Sequence, residues 1–298
     1  MLGPAKQVPM MVTARWLLSK LQTPRLKPLD ATWLMPDTTP TAYSQFLESR
    51  IPGARFFDID VVCDPVSPLP HMLPTMHDFS KHMTQLGIQN DDYVVIYDKS
   101  PVKSSHRVYW TLRLFGHEQV SMLDGGWNAW LAEHGPIESG ELNNHAKENA
   151  VPYVATRDPA SDIVIYEDIL SHLGEEKTLS KHGISFVDAR AKGRFTGELP
   201  EPRPGVPSGH MPGSRSVPFT DVLDGDGRLK PKQELQKIFK EAGIDLQGQV
   251  VASCASGVTA CVVVTALNEA GAENVKLYDG SWTEYATRPE STIVKGEV

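Results

Sequence analysis

The chain of 298 residues carries the same series of short motifs twice, at an offset of about 155 to 160 residues. Four segments of the first half recur in the second half in the same order and with similar spacing. They pair residues 29–32 with 187–190, 51–54 with 211–214, 93–98 with 249–254, and 123–127 with 278–282. Chance similarity would not preserve both order and spacing, so the sequence predicts two copies of one domain. The period is far longer than that of solenoid repeats.

Each half alternates short apolar runs with stretches of helical periodicity. The pattern predicts a strand beginning at 29–31, strands at 185–188, 250–253 and 274–278, and helices at 231–242 and 258–270. Strands separated by helices pair in parallel. We therefore predict an α/β protein of tandem duplicated domains, each a mostly parallel sheet with helices on both faces. The stretch between the copies is polar and aperiodic, so the predicted limits are a first domain at 1–140, a linker at 141–162 and a second domain at 163–298.

Composition excludes several classes of protein. With 40% hydrophobic and 22% charged residues, the chain is an ordinary globular mixture rather than a disordered or fibrous one. Its net charge of −8 argues against binding to nucleic acid or to an anionic membrane. Three cysteines, an odd number without C-x-x-C spacing, argue against a disulfide framework and a structural zinc site. A reducing compartment, the cytoplasm, fits best.

Two segments raise the question of a membrane or of targeting. Residues 246–268 carry no charge, but their centre is polar and rich in small residues, so a strand, a loop and a buried helix explain them better than a membrane span. The N-terminus is basic, with Lys6, Arg15, Lys20, Arg25 and Lys27 before the first acidic residue, which is also typical of a mitochondrial presequence. We favour a first helix at 14–21 and leave mitochondrial import open.

The chemistry is expected at the carboxyl ends of the strands. Cys254 ends the apolar strand at 250–253 and precedes a helix, with small residues between them. Inward backbone N–H groups and a helix N-terminus would stabilise a thiolate there, so Cys254 is the candidate nucleophile. The first half has Asp98 at the matching position, which predicts one catalytic and one silent domain. Cys261 is interpreted as a core residue and Cys63 as a loop thiol.

Several motifs in order resemble those of the two-domain sulfurtransferases. They are residues 57–60, 67–74, 193–195, 201–203, 254–260 and 278–282. The resemblance covers nearly the whole chain and implies a pair of rhodanese-like domains, the first catalytically silent. It implies that Arg194 and Arg203 bind the carboxylate and keto oxygen of a 2-oxo acid, a task suited to forked guanidinium donors. It also implies that Asp60, His71 and Ser256 form a proton relay, although His71 could simply be structural.

The loop after the cysteine indicates the substrate. Family members that use thiosulfate have arginine and lysine there, whereas those that use 3-mercaptopyruvate have neutral glycine and serine. This chain has Ala255 and Ser256 and so resembles the second group, departing from it by alanine for glycine. We expect the backbone of Ala255, Gly257, Val258 and Thr259 to contribute to substrate binding.

The implied reaction leaves a persulfide on Cys254, releases pyruvate and passes the sulfur to cyanide or to a thiol such as thioredoxin, without metal or cofactor. Three alternatives remain: a thiosulfate:cyanide sulfurtransferase, a phosphatase, and a non-enzymatic module for docking or sulfur relay to a protein partner. Phosphatases of this fold have an arginine six positions after the cysteine, where this chain has Ala260. Neither nucleic acid nor a membrane is expected as a partner.

Overall fold

The computed structural model describes residues 8–142, 151–173 and 183–297. The chain folds into two compact units. The first comprises the described residues up to Pro65 together with Leu73–Pro159, and the second comprises Val66–Met72 and the chain from Ala160 onward. The short segment Val66–Met72 therefore belongs to the second unit, although it lies in the first half of the sequence.

The first unit alternates strands and helices from its beginning. Its elements are β1 (Met11–Val12), α1 (Ala14–Lys20), β2 (Leu26–Asp30), α2 (Ala42–Glu48), β3 (Arg55–Phe56), α3 (Met76–Leu86), β4 (Tyr93–Tyr97), α4 (Ser105–Leu114), β5 (Val120–Leu123) and α5 (Gly126–Ala132). The five strands form one sheet in the order β1-β5-β4-β2-β3, and every pair is parallel.

The second unit repeats this plan. Its elements are β6 (Ile163–Val164), α6 (Tyr166–Leu173), β7 (Ile184–Asp188), α7 (Lys192–Thr196), β8 (Arg215–Ser216), α8 (Lys232–Glu241), β9 (Gln249–Ser253), α9 (Ala260–Ala270), β10 (Asn274–Tyr278) and α10 (Ser281–Tyr285). The strand order β6-β10-β9-β7-β8 matches that of the first unit strand by strand, again with parallel pairing throughout. The duplication and the predicted α/β class with helix-flanked parallel sheets are confirmed.

Each unit buries its own apolar core beside its sheet. In the first unit the core contains Leu17, Val95 and Trp127, and in the second it contains Ile169, Val251 and Trp282. The two tryptophans come from the repeated motif at 123–127 and 278–282, so the motif marks the same packing position in each copy. Burial of such large side chains supplies much of the driving force for folding.

The boundaries of most predicted elements agree with the structure to within a few residues, with one correction. The apolar residues 29–31 predicted a strand that begins there, but β2 runs from Leu26 and ends at Asp30. Pro28 concealed the strand in the sequence because proline cannot donate a hydrogen bond to a neighbouring strand. It is tolerated because β3 pairs only with Leu29 and Asp30, which leaves one side of Pro28 without a partner strand.

The described parts of the segments that raised targeting and membrane questions, from residue 8 onward and at 246–268, belong to the folded units. The predicted first helix is α1, whose Leu17 is buried in the core, and Lys6 lies outside the described residues. The uncharged stretch 246–268 contains β9, a loop and most of α9. Within the described ranges, no helix combines the length and apolar character needed to cross a membrane.

The predicted linker at 141–162 lies partly outside the described residues, at 143–150. From residue 151 to Pro159 the chain belongs to the first unit. Tyr153 is buried, meets the ring of Phe79 edge-on with a centroid distance of 5.7 Å, and lies with its hydroxyl 3.3 Å from His117 Nδ1. This part of the predicted linker is thus packed against the first domain.

Candidate active site

Cys254 follows directly on the last residue of β9, at the carboxyl edge of the second sheet. Its thiol is free, and the residue is only 1% exposed. The backbone N–H of Cys254 donates to Ser281 Oγ at 3.2 Å, and its carbonyl accepts from the N–H of Trp282 at 3.0 Å. The first turn of α10 therefore fixes both sides of the Cys254 backbone.

The loop from Cys254 to Thr259 connects β9 to α9 and turns sharply. Gly257 has a φ of 74°, a left-handed conformation that glycine adopts without a steric penalty. The N–H of Thr283 donates to the carbonyl of Ala255 at 2.9 Å, so α10 also holds the loop. The backbone N–H groups of Ser256, Val258 and Thr259 find no acceptor among the described residues. Together with the N-terminus of α9, such donors favour an anion at the loop.

Ser256 and His71 form the most direct contact between two predicted site residues. His71 Nδ1 lies 3.0 Å from Ser256 Oγ, and both residues are buried. His71 belongs to the segment Val66–Met72 of the second unit and has a φ of 62°, which is uncommon for a residue other than glycine. A strained residue held at a hydrogen-bonding position is typical of a functional site.

Arg203 is connected to the cysteine loop through one side chain. Its Nη1 donates to Thr283 Oγ1 at 3.0 Å, and the N–H of the same threonine donates to the carbonyl of Ala255. Nη2 of Arg203 is not bonded to any acceptor in the described part of the chain. A guanidinium with a free edge beside an anion-favouring loop can bind a carboxylate or a keto oxygen.

Arg194 lies in a buried network of alternating charges. Its guanidinium forms an ion pair with Glu201, whose side chain is 2% exposed, with an Nε–Oε1 distance of 3.1 Å. Glu201 also accepts from Arg190 Nη1 at 2.7 Å, and Arg190 is paired in turn with Asp188 at 2.6 Å. Two guanidinium groups thus face two carboxylates. The ion pair with Glu201 fixes Arg194 in one orientation.

The first unit uses the equivalent loop in a different way. Asp98 follows β4 as Cys254 follows β9, and its carboxylate accepts from the N–H of Ser100 at 3.1 Å and of Ser105 at 2.7 Å. Burial raises the pKa of this carboxyl, although the bonds to Ser105 act in the opposite direction. Two backbone donors, the N–H groups of Ser100 and Ser105, are therefore occupied by the protein's own carboxylate, and the position has no thiol.

The remaining predicted residues lie in different surroundings. Asp60 belongs to the first unit and is exposed, and its Oδ2 accepts from Trp33 Nε1 at 2.8 Å. Cys261 is fully buried within α9, in agreement with a core role. Cys63 is half-buried, and both burial and the nearby carboxylates raise the pKa of its thiol.

Sequence reasoning missed four residues of this site. They are Arg190, Glu201, Ser281 and Thr283. Each lay inside or beside a motif already singled out, since Arg190 ends the repeated segment 187–190 and Ser281 lies in 278–282. The available signal was the difference between the two copies at two of these positions. Arg190 matches Thr32 of the first copy, and Ser281 matches Gly126.

The family model for the rhodanese-like domain matches this chain twice, at residues 13–133 and 166–288. The chain belongs to the rhodanese family. The predicted resemblance is thereby confirmed, with one rhodanese domain in each unit.

Relatives of known name cover nearly the whole chain. The 3-mercaptopyruvate sulfurtransferase of Rattus norvegicus is 43% identical over 294 residues, which cover 96% of this chain and 95% of the relative. The thiosulfate sulfurtransferase of Mus musculus is 38% identical over 296 residues, with 96% of each chain covered. Among solved structures, Tum1 of Saccharomyces cerevisiae has a TM-score of 0.87 at 33% identity, covering 98% of this chain and 100% of Tum1.

Proposed function

We propose that this rhodanese protein is an enzyme that transfers the sulfur of 3-mercaptopyruvate to a thiol or to cyanide through a persulfide on Cys254. The observation that carries the proposal is the loop beside the nucleophile, where Ala255 and Ser256 bring no charge while Arg203 is connected to the loop through Thr283. A neutral loop with an arginine nearby suits a 2-oxo acid better than a dianionic sulfonate. The higher identity to the rat enzyme supports the same choice.

Substrate binding is assigned to the two arginines. The free edge of Arg203 and the remaining N–H groups of Arg194 would donate to the carboxylate and the keto oxygen, which lie in one plane in a 2-oxo acid. Glu201 neutralises part of the positive charge and holds the guanidinium of Arg194 in place. By holding the carboxylate and keto oxygen, the two guanidinium groups orient the substrate so that its sulfur lies at the thiol of Cys254.

The first half-reaction is a nucleophilic displacement at sulfur. The Cys254 thiolate attacks the thiol sulfur of the substrate, a sulfur–sulfur bond forms, and the bond between carbon 3 and sulfur breaks. Its electron pair remains on the organic fragment as the enolate of pyruvate, which takes up one proton at carbon 3. Backbone N–H groups of the loop stabilise the charged sulfur, and the Ser256–His71 pair supplies the proton, with Asp60 as the third member of the relay.

The second half-reaction regenerates the enzyme. A thiolate acceptor, or cyanide, attacks the outer sulfur of the persulfide and leaves with it, and the Cys254 thiolate is released. Reduced thioredoxin, a small thiol and a protein of a sulfur relay are the acceptor classes we propose. Each requires a reducing compartment, so we propose the cytoplasm as the site of action, with mitochondria as a second location.

Thiosulfate is the competing donor, since loop N–H groups and a helix N-terminus also bind sulfonates. The deciding experiment compares kcat/KM for the two donors with cyanide as the common acceptor. We expect a preference for 3-mercaptopyruvate on the order of 100-fold, because a carboxylate–arginine pair that thiosulfate lacks is worth roughly 2 to 5 kcal/mol. Equal values for the two donors would reject the proposed substrate.

Two cysteine variants complete the experiment. Cys254→Ser should abolish turnover with either donor, whereas Cys63→Ser, which replaces a half-buried thiol of the first unit, should retain it. Full activity in Cys254→Ser would exclude the persulfide route altogether. Loss of activity in both variants at unchanged folding would assign the chemistry to more than one thiol and contradict the mechanism.

A further inference from the structure

Ser281 occupies a position at which the backbone favours glycine. Its φ is 51°, in the left-handed region that is strained for a residue with a Cβ. The equivalent residue of the silent copy is Gly126, with a φ of 56°. Both copies therefore require the same turn between the last strand and the last helix, but only the catalytic copy forms it with a side chain.

The side chain of Ser281 makes two hydrogen bonds whose directions are fixed. The N–H of Cys254 can only donate, so Ser281 Oγ accepts from it at 3.2 Å. The carbonyl of Tyr278 can only accept, so the same hydroxyl donates to it at 2.8 Å. The hydroxyl proton thus has one location, and its lone pair faces the backbone of the nucleophile. Ser281 is fully buried, so water does not substitute for either bond.

The silent copy lacks this contact but retains the rest of the turn. The N–H of Trp127 donates to the carbonyl of Asp98 at 3.1 Å, as the N–H of Trp282 donates to that of Cys254 at 3.0 Å. This backbone hydrogen bond is thus common to both copies and stabilises the fold. A serine in this strained conformation occurs only in the copy that has the thiol. The turn itself does not require a serine, because Gly126 forms the same turn in the other copy.

We propose that Ser281 is a positioning residue for the sulfur-transfer reaction, an inference that rests on the proposed role of Cys254 as the nucleophile. Its hydroxyl satisfies the N–H of Cys254 and fixes the peptide plane from which the thiol projects. Without the hydroxyl, this buried donor has no partner, and the loop relaxes or turns the N–H towards the sulfur. Either change displaces the nucleophile from the position that the loop N–H groups stabilise.

The test compares Ser281→Gly with Ser281→Ala. Ser281→Gly reproduces the silent copy and relieves the strain, so it should fold with a melting temperature close to that of the wild type. Ser281→Ala retains the strain and should melt at a lower temperature. Both should lower kcat for 3-mercaptopyruvate on the order of tenfold, the effect of one lost buried hydrogen bond, and change KM less than threefold.

Ser214 provides the matched control, because it is also fully buried in the second unit and its hydroxyl donates to the carbonyl of Met211 at 2.7 Å. Ser214→Ala should lower stability and leave kcat unchanged. If Ser281→Gly keeps the wild-type kcat, or if Ser214→Ala lowers kcat as much as Ser281→Ala does, the positioning role is wrong.

A second measurement separates this inference from the proposed substrate. The rate at which iodoacetamide alkylates Cys254, followed by peptide mapping against Cys63, reports on the thiol without any sulfur donor. Both Ser281 variants should change this rate at Cys254 several-fold and leave it unchanged at Cys63. If the wild type ignores 3-mercaptopyruvate but the alkylation rate still changes, the substrate is wrong and the positioning role holds. An unchanged alkylation rate in both variants would overturn the positioning role.

Discussion

His71 Nδ1 and Ser256 Oγ lie 3.0 Å apart, although 185 residues separate them in the sequence. The segment that carries His71, Val66–Met72, belongs to the second unit, so this contact is made within one compact unit. A histidine bound to a hydroxyl beside a buried thiol is a route for one proton.

The pair should matter for the rate more than for binding. His71→Gln and Ser256→Ala should each lower kcat for 3-mercaptopyruvate by about 10²-fold, the lower range for loss of a general acid or base, with little change in KM. The double variant should be no slower than the slower single variant, because the two residues act together. Steady-state kinetics at several pH values check this, and additive losses would contradict a shared role.

Asp60 tests the third member of the relay separately. Asp60→Asn keeps the shape of the side chain and an oxygen able to accept from Trp33 Nε1, which now bonds to Asp60 Oδ2. If Asp60 supports the proton relay, kcat should fall by about tenfold while the melting temperature changes little. An unchanged kcat would limit the relay to His71 and Ser256.

The two arginines should act on KM. Arg203→Ala removes the donor that bonds to Thr283, and Arg194→Ala leaves the buried Glu201 with Arg190 as its partner. Each should raise KM for 3-mercaptopyruvate by about 30-fold or more, since truncation of a desolvated charge partner costs roughly 2 to 5 kcal/mol. A change below threefold in both variants would return the arginines to a purely structural role. Thr283→Val, which removes only the hydroxyl contact of Arg203, should give an intermediate KM.

The donor preference should respond to charge in the loop. Ala255 is half-exposed, so Ala255→Arg can be accommodated and leaves the contact between Ser256 and His71 intact. The variant should gain kcat/KM for thiosulfate and lose it for 3-mercaptopyruvate, because specificity is a difference between two transition-state free energies. Adding Ser256→Lys should extend the shift but also remove the hydroxyl. A preference that stays the same in Ala255→Arg would refute the argument from loop charge.

Acid should destabilise the first domain through buried histidines. Burial lowers the pKa of His117 from 6.5 to about 4 and that of His106 from 6.5 to about 3. Below pH 6.5 these two imidazoles bind protons in the unfolded chain, but they stay neutral in the folded protein until the pH approaches their lowered pKa values. The stability they contribute is therefore fully present above pH 6.5 and is lost as the pH falls towards their folded values, at roughly 2 kcal/mol per histidine by pH 5.

Urea unfolding at pH 7.5 and pH 5 measures this loss. His117→Gln should reduce the difference in the free energy of unfolding between the two pH values, whereas the same substitution at the exposed His77 should not. Equal pH dependence in the wild type and His117→Gln would show that burial of His117 does not contribute.

The sequence was sufficient for the parts of the molecule that depend on local pattern. The repeated motifs predicted two copies of one parallel α/β domain, and the end of an apolar strand located Cys254 and its counterpart Asp98. The pairing of His71 with Ser256 came only from family resemblance, because no local pattern connects residues so far apart. The assignment of Val66–Met72 to the second unit depends on tertiary contacts and left no signal in the sequence.

The contacts that support Cys254 and its neighbours were not predicted, for a physical reason in each case. The ion pair of Arg194 with Glu201 depends on side-chain geometry between α7 and the segment that follows it, which composition does not specify. The exchange of Gly126 for Ser281 was visible in the aligned repeats. The role of Ser281 depends on its positive φ and on the hydrogen bond between its hydroxyl and the N–H of Cys254. Both are features of the folded structure and have no pattern in the sequence.

The most direct test of the account is the intact mass of the protein after brief incubation with 3-mercaptopyruvate and no acceptor. We predict a gain of one sulfur atom per chain, located on Cys254 by peptide mapping, absent in Cys254→Ser and removed by cyanide with the formation of thiocyanate. A protein that releases pyruvate without gaining sulfur, or that carries the sulfur only on Cys63 or Cys261, would contradict the account.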